Sequence, residues 1–211
     1  MMRVRSGSGG ITHLPLAKEA SKADGGNATP FPSPVRHGSI RFMPTTRKRR
    51  SFEAGHARKF LLVVDNSPEV ESALFYAASR ILRSSGILVM LYVIEPQEYQ
   101  HWVGVRQVQL EEETNKARAL FRLFKRKLHN VGFENIPAEE VVREGIKSEE
   151  LLKLIEEDED IAILVLGAST DPKGPGPLVS SLAVGGAAGS FPIPITIVPG
   201  NLALEDILTL A

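Results

Sequence analysis

The chain has 211 residues, which is enough for one domain with tails or for two small domains. It contains no cysteine, so disulfides, cysteine-ligated zinc sites and a cysteine nucleophile are excluded. The formal net charge is zero, yet residues 1–58 hold 11 Lys and Arg against 3 Asp and Glu, whereas residues 59–211 hold 14 against 22. Such an acidic body is a poor match for duplex nucleic acid. No apolar run approaches the roughly 20 residues that span a bilayer, and no secretory signal is visible, so we expect a cytoplasmic protein.

Residues 1–58 mix Gly, Ser, Pro, Thr, Lys and Arg with almost no apolar periodicity. This composition predicts a disordered basic leader, because it cannot bury enough surface to offset the entropy of the chain. Its one sharp feature is the cluster Arg47-Lys48-Arg49-Arg50, which is either a solvated linker or a contact for an anionic surface. Met43 lies just before this cluster, and one hypothesis is that translation begins there.

Four apolar runs in the body predict buried strands, and a weaker pattern at about Ala138–Arg143 predicts a fifth strand. Runs that are apolar at every position are typical of parallel strands covered on both faces. Helical patterns separate the runs, with Ser67 and Ser148 as predicted N-caps and a helix from about Val105 to Asn130. This alternation predicts one α/β domain over residues 59–200, a doubly wound five-stranded parallel sheet. The predicted strands are Lys59–Asp65, Ile87–Val93, Ala138–Arg143, Ile161–Leu166 and Ile195–Val198.

Residues 201–211 follow the last strand with the sequence NLALEDILTLA. Asn201 is a predicted cap, and four apolar side chains follow it at spacings that suit a helix. We therefore predict a short helical tail that is able to dock on a surface.

Two features at the predicted carboxyl edge of the sheet indicate a binding site. Asp65 closes the first strand, where its carboxylate either accepts hydrogen bonds from a ligand or only supports the adjacent turn. Gly167 closes the fourth strand and opens a loop rich in glycine and hydroxyl residues, which is where α/β sheets bind phosphorylated ligands. As a bare glycine-rich loop it could equally be a plain connector. Its candidate phosphate contacts are Gly167, Ser169, Thr170, Gly174, Gly176, Ser180 and Ser181.

The sequence contains no recognisable catalytic motif. It lacks the Gly-Lys-Ser/Thr of a P-loop and the Gly-x-Ser-x-Gly of a nucleophile elbow, and its five histidines are scattered. His101 and Trp102 lie on a connection that either folds over the site or packs on the surface. These observations favour binding over a reaction, with no catalytic residue and no metal centre of the protein's own.

From about Lys59 to Pro199 the chain resembles a universal stress protein domain. The resemblance rests on strand ends that read Val64-Asp65, Tyr92-Val93-Ile94 and Val165-Leu166-Gly167, and on the last strand, Pro194 to Pro199. It implies the adenine nucleotide alpha hydrolase-like fold with strand order 3-2-1-4-5 and a homodimer formed through the last strand, Ile195–Val198. Some members of this family bind ATP, and Mg with it.

The ATP motif of that family is Gly, two residues, Gly, nine residues, then Gly followed by Ser or Thr. Laid onto this chain, its three glycines fall on Gly167, Thr170 and Ser180, and its hydroxyl falls on Ser181. One inserted residue would instead align the third glycine with Ser181. The resemblance implies that Asp65 and Val93 hold the base.

Side chains at Thr170 and Ser180 crowd contacts between backbone and phosphate, and Gly174 and Gly176 could compensate by reshaping the loop. The resemblance therefore implies a stress-response regulator that binds an adenine nucleotide or similar anion, with slow ATP hydrolysis at most. The alternative is a nucleotide-free dimeric interaction module of the same fold.

Overall fold

The computed structural model describes residues 48–96, 103–184 and 191–211. The predictions about the leader as far as residue 47, about a start at Met43 and about His101 and Trp102 lie outside the described residues. So does part of the small-residue segment before the last strand, residues 185–190. Within the described residues, no helix is long and apolar enough to cross a membrane.

Five parallel strands form one sheet in the order β3-β2-β1-β4-β5, which confirms the predicted fold and strand order. The chain runs outward from β1 to β3 on one side, then crosses back to place β4 and β5 on the other. β1 therefore lies at the centre of the sheet, where the winding direction reverses. The strands are β1 Lys59–Val63, β2 Ile87–Ile94, β3 Ala138–Glu144, β4 Ile161–Ala168 and β5 Ile195–Pro199.

Helices cover both faces of the sheet, as continuous apolar strands require. Phe60 and Leu62 of β1 pack on one face with apolar residues of the first, second and last helices, while Leu61 and Val63 pack on the other face with the third. The helices are α1 Glu69–Ser84, α2 Val103–Asn130, α3 Lys147–Glu157, α4 Pro177–Val179 and α5 Leu204–Leu210. A π-helical turn, Ser180–Val184, continues α4.

All three predicted side-chain caps are wrong. Pro68, Ile146 and Ala203 occupy the N-cap positions of α1, α3 and α5, and none of these helices has a side-chain cap hydrogen bond. Ser148 already lies inside the first turn of α3 and is buried, because the helix begins one residue before it. At α1 the backbone N–H of Ser67 donates to Asp65 instead, so the turn is closed by a residue that precedes the predicted cap.

Residues 48–58 lie against the end of α3, although the sequence placed them in a disordered leader. The Arg49 guanidinium donates to the carbonyl oxygens of Ile155 and Asp158, at 2.6 and 3.1 Å. Carbonyls in the last turn of a helix have no partner within the helix, and a cation there also complements the helix dipole. Arg49 therefore caps α3 from a position 106 residues away along the chain.

We predict that Arg49→Ala lowers the free energy of unfolding by about 1.5–3 kcal/mol, because two carbonyls lose a charged donor. The matched control is Lys48→Ala, since the Lys48 side chain is 85% exposed and its ion pair with Glu53 lies on the surface. We expect that change to stay within about 0.5 kcal/mol. Urea unfolding of the full chain measures both values, and equal effects of the two substitutions would contradict the capping role.

Candidate functional site

A cavity of about 440 Å³ opens at the carboxyl edge of the sheet, between the ends of β1, β2 and β3 and the first half of α2. Asp65 and Val93 both line it, so the structure brings together the two residues that the resemblance assigned to the base. Asp65 follows β1 and Val93 lies near the end of β2, and the ends of adjacent parallel strands meet at the same edge. The chain therefore builds this part of the site from elements that the sequence identified.

The Asp65 carboxylate is shared between the turn and the cavity. Its Oδ1 accepts a hydrogen bond from the backbone N–H of Ser67 at 2.9 Å. Its Oδ2 lies 3.5 Å from Lys147 Nζ, which also lines the cavity. The side chain is 40% exposed, so it still presents acceptor capacity to the open space. Turn support and ligand contact, which were alternatives in the sequence, are thus compatible in the structure.

Tyr92 and Glu113 form a hydrogen-bonded wall of the cavity. The Tyr92 hydroxyl donates to Glu113 Oε2 at 3.0 Å, and Lys116 Nζ lies 2.6 Å from the other oxygen of that carboxylate. Burial, reinforced by the Glu113 carboxylate, raises the pKa of Tyr92 to about 12. The Lys116 ammonium lowers the pKa of Glu113. Near neutral pH the wall therefore holds a neutral phenol, a carboxylate and an ammonium in fixed positions.

Sequence reasoning missed the contribution of α2 to this site. The helix lines the cavity with residues spaced three or four apart, so they share one helix face. The spacing of these residues is visible in the sequence, but nothing in the sequence shows that this face of the helix meets the strand ends. The lining residues of α2 are Arg106, Gln109, Leu110, Glu112, Glu113 and Lys116.

Gly167 is required by packing. A Cβ atom at this position would lie 2.3 Å from the carbonyl oxygen of Glu69, the first residue of α1. Gly200 has the same neighbour, because a Cβ there would lie 2.7 Å from Glu69 Cβ. Any side chain at Gly167 would therefore push the start of α1 away from β4, which gives this glycine a function that needs no ligand.

The other predicted phosphate contacts lie between β4 and the start of the π-helical turn after α4, and none of these described residues lines the cavity. Gly174 and Gly176 adopt φ values of +125° and +100°, which L-residues with side chains rarely adopt, so both serve the path of the loop. These phosphate candidates are Ser169, Thr170, Gly174, Gly176, Ser180 and Ser181.

Several hydrogen-bond donors of the loop bond to acceptors within it. The N–H of Ser169 donates to Pro175 O at 3.1 Å, and the N–H of Gly174 donates to Asp171 O at 2.9 Å. The Ser181 hydroxyl donates to Leu178 O at 3.0 Å. Phosphate cradles depend on donors that point at the ligand, so this conformation of the loop fits the phosphates of ATP poorly. Within the described residues there is also no cluster of three or more His, Asp or Glu side chains that could hold a metal ion.

Comparison with known proteins agrees with this architecture. A family model described as the universal stress protein family matches residues 56–199. Universal stress protein UspA from Lactobacillus plantarum is 21% identical, with a TM-score of 0.54 and coverage of 67% of this chain and 97% of that one. The hypothetical protein MJ0577 is 19% identical, with a TM-score of 0.55 and coverage of 69% and 98%. A universal stress protein family member from Burkholderia pseudomallei is 15% identical, with a TM-score of 0.50 and coverage of 67% and 95%. No curated protein matches the chain.

We predict that Gly167→Ala destabilises the domain by about 1–3 kcal/mol or more, because the new methyl group overlaps the backbone of α1. Thr170→Ala is the control within the same loop, since Thr170 is exposed, and we expect its effect to stay within about 0.5 kcal/mol. Thermal and urea unfolding without added ligand measure both. A Gly167→Ala protein as stable as the parent would refute the packing role.

Proposed function

We propose that this chain, which belongs to the universal stress protein family, binds an adenine nucleotide or its nucleoside in the cavity beside Asp65. In this proposal it acts as a stress-response regulator whose state depends on that ligand. The observation that carries the proposal is the joint presence of Asp65 and Val93 in one cavity of about 440 Å³. Ligand sites in proteins typically have volumes of about 300–1,000 Å³, so the space suits a nucleoside.

The position of the cavity supports the same ligand class. β1 lies between β2 and β4, so the direction of winding reverses beside it, and open α/β sheets bind their ligands at this point. The exposed part of the Asp65 carboxylate can accept hydrogen bonds from an adenine amino group or from ribose hydroxyls. Leu110 offers an apolar contact to a flat ring, and the backbone of Val93 offers a polar contact.

The proposed role is binding. ATP with Mg, a cytoplasmic location and at most slow hydrolysis remain predictions from the sequence and from the resemblance. Identification of any nucleotide or nucleoside released from the denatured native protein, by chromatography and mass spectrometry, tests the ligand class directly.

We predict that Asp65→Asn weakens the binding of adenosine or AMP about 10- to 100-fold, because a charged acceptor is lost while the turn can still be closed. Asp206→Asn is the control, since Asp206 is an exposed carboxylate of α5 outside the cavity. Isothermal calorimetry on the full chain measures the affinities. Unchanged affinity in Asp65→Asn, or an equal loss in the control, would argue against the site.

A second candidate function is the nucleotide-free dimeric interaction module. β5 is at the edge of the sheet and pairs with β4 alone among the described strands, and its Ile197 is 40% exposed. An edge strand with an exposed apolar side chain is suited to pairing with a second copy. This supports the predicted homodimer through Ile195–Val198.

We predict that Ile197→Lys converts the dimer to a monomer, because it places a charge in the proposed interface. Leu82→Lys is the control, since Leu82 is a 55% exposed apolar side chain of α1 and is not part of β5. Light scattering coupled to size-exclusion chromatography gives the molar mass of each. A parent chain that is already monomeric at micromolar concentration would contradict the dimer.

A further inference from the structure

The charges around the cavity favour ligands with little negative charge. Its lining contains five carboxylates and three cations, a formal excess of two negative charges. Each cation already has a carboxylate partner within the lining. The pairs are Arg106 with Glu144 at 2.8 Å, Lys116 with Glu113 at 2.6 Å, and Lys147 with Asp65 at 3.5 Å.

Two carboxylates of the lining remain in excess. Glu95 and Glu112 form no ion pair with another described residue, and both are exposed residues that line the cavity. A polyphosphate placed here would meet these charges without a free cation to offset them. A nucleoside would meet the same groups as hydrogen-bond acceptors, which suit its amino and hydroxyl donors.

The loop after β4 does not supply the missing positive charge. Its one cation, Lys173, lies two residues from Asp171, so the loop has no net charge. The backbone also stabilises the negative charge of Asp171, because Asp171 Oδ1 accepts a hydrogen bond from the Lys173 N–H at 2.8 Å. The N–H of Asp171 in turn donates to Ser169 Oγ at 3.2 Å.

Proline further reduces the donors that this loop can offer. Three of its residues have no backbone N–H, and the donors described above are already used within the loop. The connections at residues 97–102 and 185–190 read QEYQHW and GGAAGS, so neither adds a lysine or an arginine. The three prolines are Pro172, Pro175 and Pro177.

We infer that the site selects its adenine ligand by charge, and that it prefers the nucleoside over the nucleoside triphosphate. This inference rests on the proposed function and specifies the charge of the ligand. The acidic cavity lining repels a polyanion, and the loop after β4 bonds several of its donors internally. Asp65 contacts the ligand, while Glu112 acts on selectivity through its charge. The inference departs from the ATP that the family resemblance implied.

The test compares the affinities of adenosine, AMP and Mg-ATP for the full chain by calorimetry at low salt. We expect adenosine to bind at least about tenfold more tightly than ATP, and AMP to lie between them. Added salt should narrow the gap, because screening weakens repulsion between charges. ATP affinity equal to or higher than that of adenosine would overturn the inference and leave the proposed function intact. Binding of none of the three would overturn both.

A pair of variants tests the contribution of the Glu112 carboxylate. Glu112→Gln removes one carboxylate in excess and should raise the ratio of ATP affinity to adenosine affinity about two- to fivefold. Glu111→Gln is the matched control, because Glu111 is the preceding exposed carboxylate of α2 and does not line the cavity. An unchanged affinity ratio in Glu112→Gln, or an equal shift in Glu111→Gln, would refute the inference that the charge of the cavity lining selects the ligand.

Discussion

The first turn of α1 packs backbone against backbone on the end of β4, and the geometry of the carboxyl edge depends on this contact. The helix begins four residues after Asp65, and its Glu69 carbonyl occupies the space where a Cβ of Gly167 would lie. Gly200 allows the same approach from β5. Because α1 fills the space above β4, the open volume lies on the other side of Asp65, over β2 and β3. The start of α1 thus packs closely on β4, and the cavity of about 440 Å³ opens beside the ends of β2 and β3.

The negative charge of that open volume comes from the ends of the strands. The lining residues of α2 contribute two carboxylates and two cations, whereas the three carboxylates at or just after the strand ends, Asp65, Glu95 and Glu144, outnumber Lys147. The hydrogen bond from Tyr92 to Glu113 joins strand to helix and holds that wall in place. Since the phenol stays protonated far above neutral pH, the wall keeps this arrangement across the physiological range. Shape and charge therefore have separate origins, because the glycines under α1 shape the edge and the carboxylates at the strand ends supply the excess negative charge.

The parts of this structure that the sequence predicted are those governed by local pattern. Continuous apolar runs predicted four of the five strands, and a weaker pattern predicted β3. The family resemblance gave the order of the strands. Asp65 and Val93 were placed correctly at one edge since the ends of parallel strands converge. The predicted N-caps were wrong because the start of a helix also depends on the hydrogen bonds of the preceding turn. At α1, for example, the Ser67 N–H donates to Asp65. Arg49 could not be assigned either, since its partners Ile155 and Asp158 are more than 100 residues away.

The glycines of the loop separate the requirements of the fold from those of a ligand. Of the three glycine positions in the ATP motif, the chain has glycine at Gly167, where packing forbids a side chain, and has Thr170 and Ser180 at the other two. Gly174 and Gly176 occur instead where the loop needs positive φ. Every glycine of this loop is therefore accounted for by the backbone, and none needs a phosphate to explain it. The chain thus keeps the close contact between Gly167 and α1, while the loop that follows bonds several of its donors internally.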